Sequence, residues 1–180
     1  MTSSNTKKAV FAGGCFWCTE AIFKRIKGVK SVTPGYSGGT NQNPTYQEIH
    51  AKNTGEAESI SIEFNPAQIS YDVLLEVFFK THDPTTPNQQ GYDHGPEYRS
   101  AIFYMDEEQK QAAEKAKSML SKSGYYKSPI ITEINKFTGF TPAEDYHHNF
   151  FEQNQSSPYC RVIIQPKLEK LQQDFKDKLA

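Results

Sequence analysis

The six residues Gly13-Gly14-Cys15-Phe16-Trp17-Cys18 constrain this chain more than any other stretch. Two adjacent glycines permit a tight turn at the end of the apolar run 9–12. Beyond them, residues 15–26 space Phe16, Ala21, Ile22, Phe23 and Ile26 as an amphipathic helix does. The strand–turn–helix that results seats Cys15 near a helix N-terminus, where unpaired N–H groups and the helix dipole favour a thiolate. Phe16 and Trp17, the only tryptophan, supply material for an apolar pocket beside the sulfur. The functional reading is a nucleophilic thiol in a hydrophobic cup. The structural alternative is a buried cysteine at a tightly packed corner, and a C-x-x-C alone does not choose between them.

A chain of 180 residues is long enough for one domain with its own core, and residues 1–7 read as a flexible tail ahead of it. Aromatic residues at 13% argue against disorder, and a net charge of −1 gives no reason to expect nucleic acid or an anionic membrane as partner. No apolar run reaches membrane-spanning length, and the polar start carries no apolar signal region, which points to the cytoplasm. Three cysteines are too few for a disulfide framework and leave one thiol over, as a reducing compartment would allow. A monomer is expected.

Strands are predicted over 8–12, 28–36, 46–51, 58–64, 99–104 and 130–134. In residues 58–64, Ile60, Ile62 and Phe64 alternate with Ser59, Ser61 and Glu63, and Glu58 shares the parity of the apolar face. A carboxylate on that side is costly to ionise and would hold its proton toward neutral pH. If the strand starts later, Glu58 is simply a turn residue. Ser70 caps a helix bearing Val73, Leu74, Val77 and Phe78, which ends before His82-Asp83-Pro84. A long polar loop, 85–97, follows, of the kind that usually serves function or moves. Asp106 and Gln109 form a capping box for a helix with Ala112, Ala113, Ala116, Met119 and Leu120 inward. Thr141-Pro142-Ala143-Glu144 reads as another capping box, opening a helix that carries His147 and His148. Pro166 opens a last helix with Leu168, Leu171 and Phe175 on one stripe. This mixture predicts an α+β two-layer sandwich, with a ferredoxin-like core, a mixed or antiparallel sheet, and a long C-terminal coil plus helix.

Cys15 and Cys18, three apart on a helix, project from one side. They suit a redox disulfide, a metal, or a nucleophile with its resolving partner. Zinc would need further ligands, which His147 and His148 with Cys160 could supply, but neighbouring histidines on a helix diverge. By composition alone Tyr46 and Tyr98 are packing aromatics and Asp93 a turn residue.

Seven ordered segments add a resemblance. They are Gly13 to Cys18, Gly35-Tyr36-Ser37-Gly38-Gly39, Asn43-Pro44-Thr45-Tyr46, Thr54-Gly55-Glu56-Ala57-Glu58, His82-Asp83-Pro84-Thr85, Tyr98-Arg99-Ser100 and Ala143-Glu144-Asp145-Tyr146-His147. Together they resemble peptide methionine sulfoxide reductase A, from about Lys8 to Leu171. The resemblance implies an enzyme that reduces the S epimer of methionine sulfoxide, free or in proteins, and so repairs oxidised proteins. It implies Cys15 as nucleophile, Glu58 as proton donor, and Tyr46 and Tyr98 as hydroxyls holding the sulfoxide oxygen. Asp93 would assist the later reductive step, and Phe16 and Trp17 would form the pocket for the substrate methyl group. Cys15 would pass through a sulfenic acid to a disulfide that thioredoxin reduces, with no metal or organic cofactor.

Two places depart from the family pattern. Glu56 stands where the family often has histidine, so a second acid lies two residues from Glu58 and would raise its pKa if the two are close. The loop Gly91-Tyr92-Asp93-His94-Gly95-Pro96-Glu97 has unusual neighbours around Asp93, leaving Tyr92, His94 and Glu97 without roles. For the resolving thiol, Cys160 sits where the family keeps a recycling cysteine, on a mobile tail, and is favoured over Cys18. Cys18, one helical turn from Cys15, is the rival or a relay. Two other functions compete: a thiol–disulfide oxidoreductase using Cys15 and Cys18, and a zinc-stabilised binding module.

Overall fold

The computed structural model of the protein describes residues 5–51 and 53–180. Its elements run β1 (Lys7–Gly13), α1 (Phe16–Phe23), β2 (Val29–Ser37), α2 (Tyr46–Ala51), β3 (Ala57–Phe64) and α3 (Tyr71–Thr81). A two-residue hairpin follows, β4 (Gln89–Gln90) and β5 (Asp93–His94), then β6 (Ser100–Tyr104), α4 (Glu107–Ser123), β7 (Glu133–Lys136) and β8 (Thr141–Pro142). The chain closes with α5 (Phe150–Gln153) and α6 (Gln165–Asp174). Among the described residues no helix is long and apolar enough to cross a membrane.

The main sheet has the order β7-β6-β1-β3-β2-β8, antiparallel except for the parallel β6–β7 pair. Its four central strands, with α1 and α3 as crossovers, give the expected ferredoxin-like core. Period-two alternation assigns the faces. Ala9 and Phe11 of β1 meet Ile22, Phe23, Leu74 and Phe78 of the helical layer, whereas Val10 and Ala12 lie on the other face with Phe103, under Phe137 and Phe140. Each large side chain wholly withdrawn from water, such as Phe11 or Phe78, contributes about 1.5–3 kcal/mol.

Local chemistry explains where elements begin. Ser70 accepts from the Val73 amide, and Asp106 from the Gln109 amide. Gly14 has φ +89°, and a Cβ there would lie 2.5 Å from Gln90, so only glycine fits the turn into α1.

Several predicted elements differ. Residues 46–51 form a helix rather than a strand, because Thr45 and Glu48 make a reciprocal capping box: Glu48 accepts from the Thr45 amide and hydroxyl, and the Thr45 hydroxyl from the Glu48 amide. Conversely, Thr141-Pro142 does not start a helix. It pairs as an edge strand with Gly35 and Tyr36, and the Glu144 carboxylate accepts from the Tyr36 hydroxyl and the Tyr46 amide instead of capping its own segment. His147 consequently sits in a single 3-10 turn. The predicted strand 130–134 lies at Glu133–Lys136, and Met119 of α4 points outward, 61% exposed. Of the predicted tail, residues 1–4 lie outside the described residues, while Lys7 already pairs with Phe64 in the sheet. The C-terminal stretch is a series of short turns and helices leading into α6.

Candidate active site

The turn after β1 places Cys15 as the N-cap of α1, 7% exposed, its carbonyl accepting from the Cys18 and Thr19 amides. The next amide, Phe16 N–H, donates to Glu58 Oε2 at 3.0 Å. Because β3 lies between β1 and β2 at the centre of the sheet, Glu58 is buried with Ile60, Ile62 and Phe64, as its parity predicts. Burial raises its pKa, against the hydrogen bonds from His50 and the Phe16 amide, and the charge of Asp93 adds to the rise. Glu56 is not the cause. It turns away to accept from the backbone of Gly39 and Asn41, near Arg99.

The thiol departs from the expectation that a helix N-terminus makes it a ready thiolate. Burial dominates and holds Cys15 above the ordinary thiol range, with the Cys18 contact and the Glu58 charge acting the same way. Cys18, influenced first by the neighbouring Cys15, has its pKa lowered to about 7. Burial thus favours the neutral form of both the Cys15 thiol and the Glu58 carboxyl.

Around the sulfur lie the remaining predicted residues. Tyr46 on α2 and Tyr98 before β6 both have hydroxyl pKa values raised by burial and then by the Glu58 charge. The Phe16 and Tyr36 rings pack at 5.6 Å, and Trp17 stacks on Phe150 at 3.6 Å, its indole N–H donating to His147 Nδ1 at 3.0 Å. Asp93, on the β4–β5 hairpin, reaches the thiols through Tyr159: the Tyr159 hydroxyl donates to Asp93 Oδ2 at 2.8 Å and stands 3.8 Å from Cys18 Sγ. Cys160 joins the same buried cluster as Cys15 and Cys18, fully enclosed in a helical turn, Cys160–Ile164, rather than on a mobile tail. The histidines once considered with it for zinc are otherwise engaged: His147 by Trp17, His148 Nε2 by the Ala143 carbonyl at 2.9 Å.

Sequence reasoning missed four members of the site: His50, Glu97, Tyr159 and His147 in its role beside Trp17. The capping box at Thr45 was the available signal for His50, since a helix there turns residue 50 back over residue 46. Tyr92 is 85% exposed at the hairpin tip, and His94 pairs across the hairpin with Gln89, so neither belongs to the site.

The likeness to known proteins covers the whole of this architecture. The family model for peptide methionine sulfoxide reductase matches residues 7–179. A peptide methionine sulfoxide reductase MsrA of Sulfolobus acidocaldarius is 51% identical over 172 residues, covering 96% of this chain and 97% of the relative. The crystal structure of reduced Mxr1 from Saccharomyces cerevisiae aligns with a TM-score of 0.78 at 29% identity, over 88% of this chain and 91% of that one. Mxr1 has also been solved in complex with Trx2, a likeness of fold at 24% identity, TM-score 0.56, over 82% and 86% of the two chains. A cysteine at the turn into α1, a buried acid on its neighbour's amide and a match running nearly end to end agree: the chain belongs to the peptide methionine sulfoxide reductase family, thiol-dependent oxidoreductases that return methionine sulfoxide to methionine.

Proposed function

We propose that the protein reduces the S epimer of methionine sulfoxide, free and in oxidised proteins, with Cys15 as nucleophile and Glu58 as general acid. The observation that carries this reading is the Phe16 amide bridging them: the residue next to the thiol is hydrogen-bonded to the buried carboxyl at 3.0 Å. A sulfoxide sulfur presented to Cys15 thus has its oxygen within reach of a loaded acid.

In the first step the Cys15 sulfur attacks, the oxygen takes the Glu58 proton, and hydrogen bonds from Tyr46 and Tyr98 stabilise charge developing on it. The Cys15 proton is released to solvent as the thiolate forms, and balances the proton that Glu58 later regains. Oxygen leaves as the hydroxyl of a Cys15 sulfenic acid, so the substrate sulfur is reduced to the thioether and Cys15 is oxidised by two electrons. Phe16 and Trp17 line the pocket for the substrate methyl group. A second thiol then attacks the sulfenic sulfur and expels water, leaving a disulfide. Sequence position favours Cys160 for this step, and Cys18, in the same buried cluster as Cys15 and Cys160, is its rival or a relay. Asp93, acting through Tyr159, assists the departure of water. A dithiol protein of the thioredoxin type, as in the yeast Mxr1–Trx2 complex, returns the pair to thiols.

Separated S and R epimers, assayed with dithiothreitol on the wild type and Cys15→Ser, test the reading. Turnover confined to the S epimer and abolished in the variant is expected; turnover of neither epimer would sink it. Cys18→Ser and Cys160→Ser assign the later step. Trapping with dimedone will find a persistent sulfenic acid in Cys18→Ser, and thioredoxin-dependent turnover alone will fail in Cys160→Ser.

A further inference from the structure

His50 lies between two carboxylates. Its Nε2 is 3.1 Å from Glu58 Oε1, and its Nδ1 is 3.0 Å from Glu97 Oε1. The three come from separate elements: His50 from α2, Glu58 from β3, and Glu97 from the 3-10 turn Pro96–Tyr98. Exposure grades along the row: the Glu58 side chain is 1% exposed, Glu97 11% and His50 22%. Water therefore meets the imidazole before it meets the acid. Other groups facing His50 are the rings of Tyr46 at 4.1 Å and Tyr98 at 5.6 Å, together with His147. Asp93 and Cys15 are the other titratable groups close enough to act on Glu58.

We propose that Glu97 and His50 form the proton line that loads and reloads Glu58, with His50 as conduit and Glu97 as the residue that orients it. The proposal rests on Glu58 being the acid of the reaction. The chemistry follows from donor and acceptor counting. The Glu97 carboxylate accepts from Nδ1–H and fixes that tautomer, leaving Nε2 and Glu58 Oε1 to share one proton. When Glu58 gives its proton to the sulfoxide oxygen it becomes a carboxylate in a dry pocket. A proton from bulk water enters at the imidazole and passes from Nε2 to Oε1, restoring the acid before the next substrate. Two sites sharing one proton bind it at least as tightly as Glu58 alone, so the pair keeps a proton next to the sulfoxide site over a wider pH range than the lone carboxyl would. In agreement, His50 has its pKa raised, by the Glu58 hydrogen bond first and by Glu97 in addition.

The experiment combines ring-nitrogen NMR of 15N-histidine-labelled, reduced protein with the pH profile of the first turnover, measured as methionine formed without reductant. His50→Gln assigns the His50 signal among the five histidines. In the wild type His50 will titrate above the ordinary histidine range, and one limb of the kinetic profile will share its midpoint. Glu97→Gln removes a negative charge from Nδ1 and will move both midpoints down together by about one pH unit. His50→Gln will move the same limb down, because Glu58 then holds the proton unaided. A His50 midpoint unmoved by Glu97→Gln, or a kinetic profile that stays put while the midpoint moves, overturns the proposal. Glu58→Gln separates the two readings: normal first turnover in that variant defeats the acid itself, whereas its loss alongside an unmoved Glu97→Gln profile defeats only the proton line.

Discussion

His50 is half-buried and His82 buried, and their surroundings send them in opposite directions. His50 has a carboxylate at each ring nitrogen and is held toward its charged form. His82 is enclosed against Phe78, its Nδ1 donating to the Phe78 carbonyl and its Nε2 2.8 Å from the Ser100 hydroxyl, which in turn meets Thr132. Its hydrogen-bond partners are neutral, and burial, with the Lys167 charge acting the same way, lowers its pKa to about 4. One region stores a proton that can move; the other spends every polar atom on holding β6 to α3 and to the residues before β7. Chemistry and architecture thus use the same residue type, and the neighbouring charge decides which.

The largest effect expected from breaking this contrast is on the working side. Glu58→Gln keeps the shape and the Phe16 hydrogen bond but removes the acid, and single-turnover methionine formation will slow by about 10²–10³-fold. His82→Gln, with first turnover measured on folded protein, will leave that rate near the wild type.

Next comes the structural side. The folded-state pKa of His82 lies below the unfolded value, so its neutral form contributes fully above about pH 6.5, and this contribution is lost as pH falls toward 4. The loss amounts to about 3 kcal/mol, read as a drop in urea unfolding free energy that His82→Gln lacks. The same titration in His50→Gln will retain it, because His50 contributes in the other sense: its raised pKa stabilises below the unfolded value and fades as pH rises through the folded one.

The smallest effect sharpens the comparison with a third histidine. His147 is buried, with Nδ1 accepting from Trp17 and Nε2 without a partner among the described residues. Trp17→Phe deletes that donor and will cost about 1–2 kcal/mol of stability, together with a raised KM from a less firmly held pocket wall. A change in the pH profile of first turnover would show that His147 shares the working role of His50.

Much of this was legible in the sequence, for reasons that can be named. Cys15 announced itself through paired glycines that only a tight turn requires, and Glu58 through strand parity, a rule that survives because β3 is central and buried on that side. The α+β class of the core followed from the mixture of strand and helix patterns, whereas its strand order did not. The rest depended on partners far apart in the chain. Thr45 to Glu48 and Thr141 to Glu144 offer the same capping pattern; one folds as a helix, while the other is captured by the edge of β2 and the Tyr36 hydroxyl. Nothing local to residue 97 says that it will meet residue 50, and the shared motif at His82 carried no statement that its task is packing. The electrostatics of Cys15 were misjudged for a similar cause: a helix terminus is visible in sequence, whereas the depth of burial that outweighs it is not.

Complete enclosure of the sulfurs has a consequence for timing. Cys15, Cys18 and Cys160 are 7%, 1% and 0% exposed, so a partner protein can reach a disulfide among them only after a local excursion of the Tyr159–Ile164 turn. We expect recycling by a dithiol protein to track how often that segment opens, with amide hydrogen exchange at Cys160 as the measurement that checks it. Agents that loosen the C-terminal segment without touching the cysteines would speed regeneration, while a tighter fold there would leave the enzyme oxidised for longer.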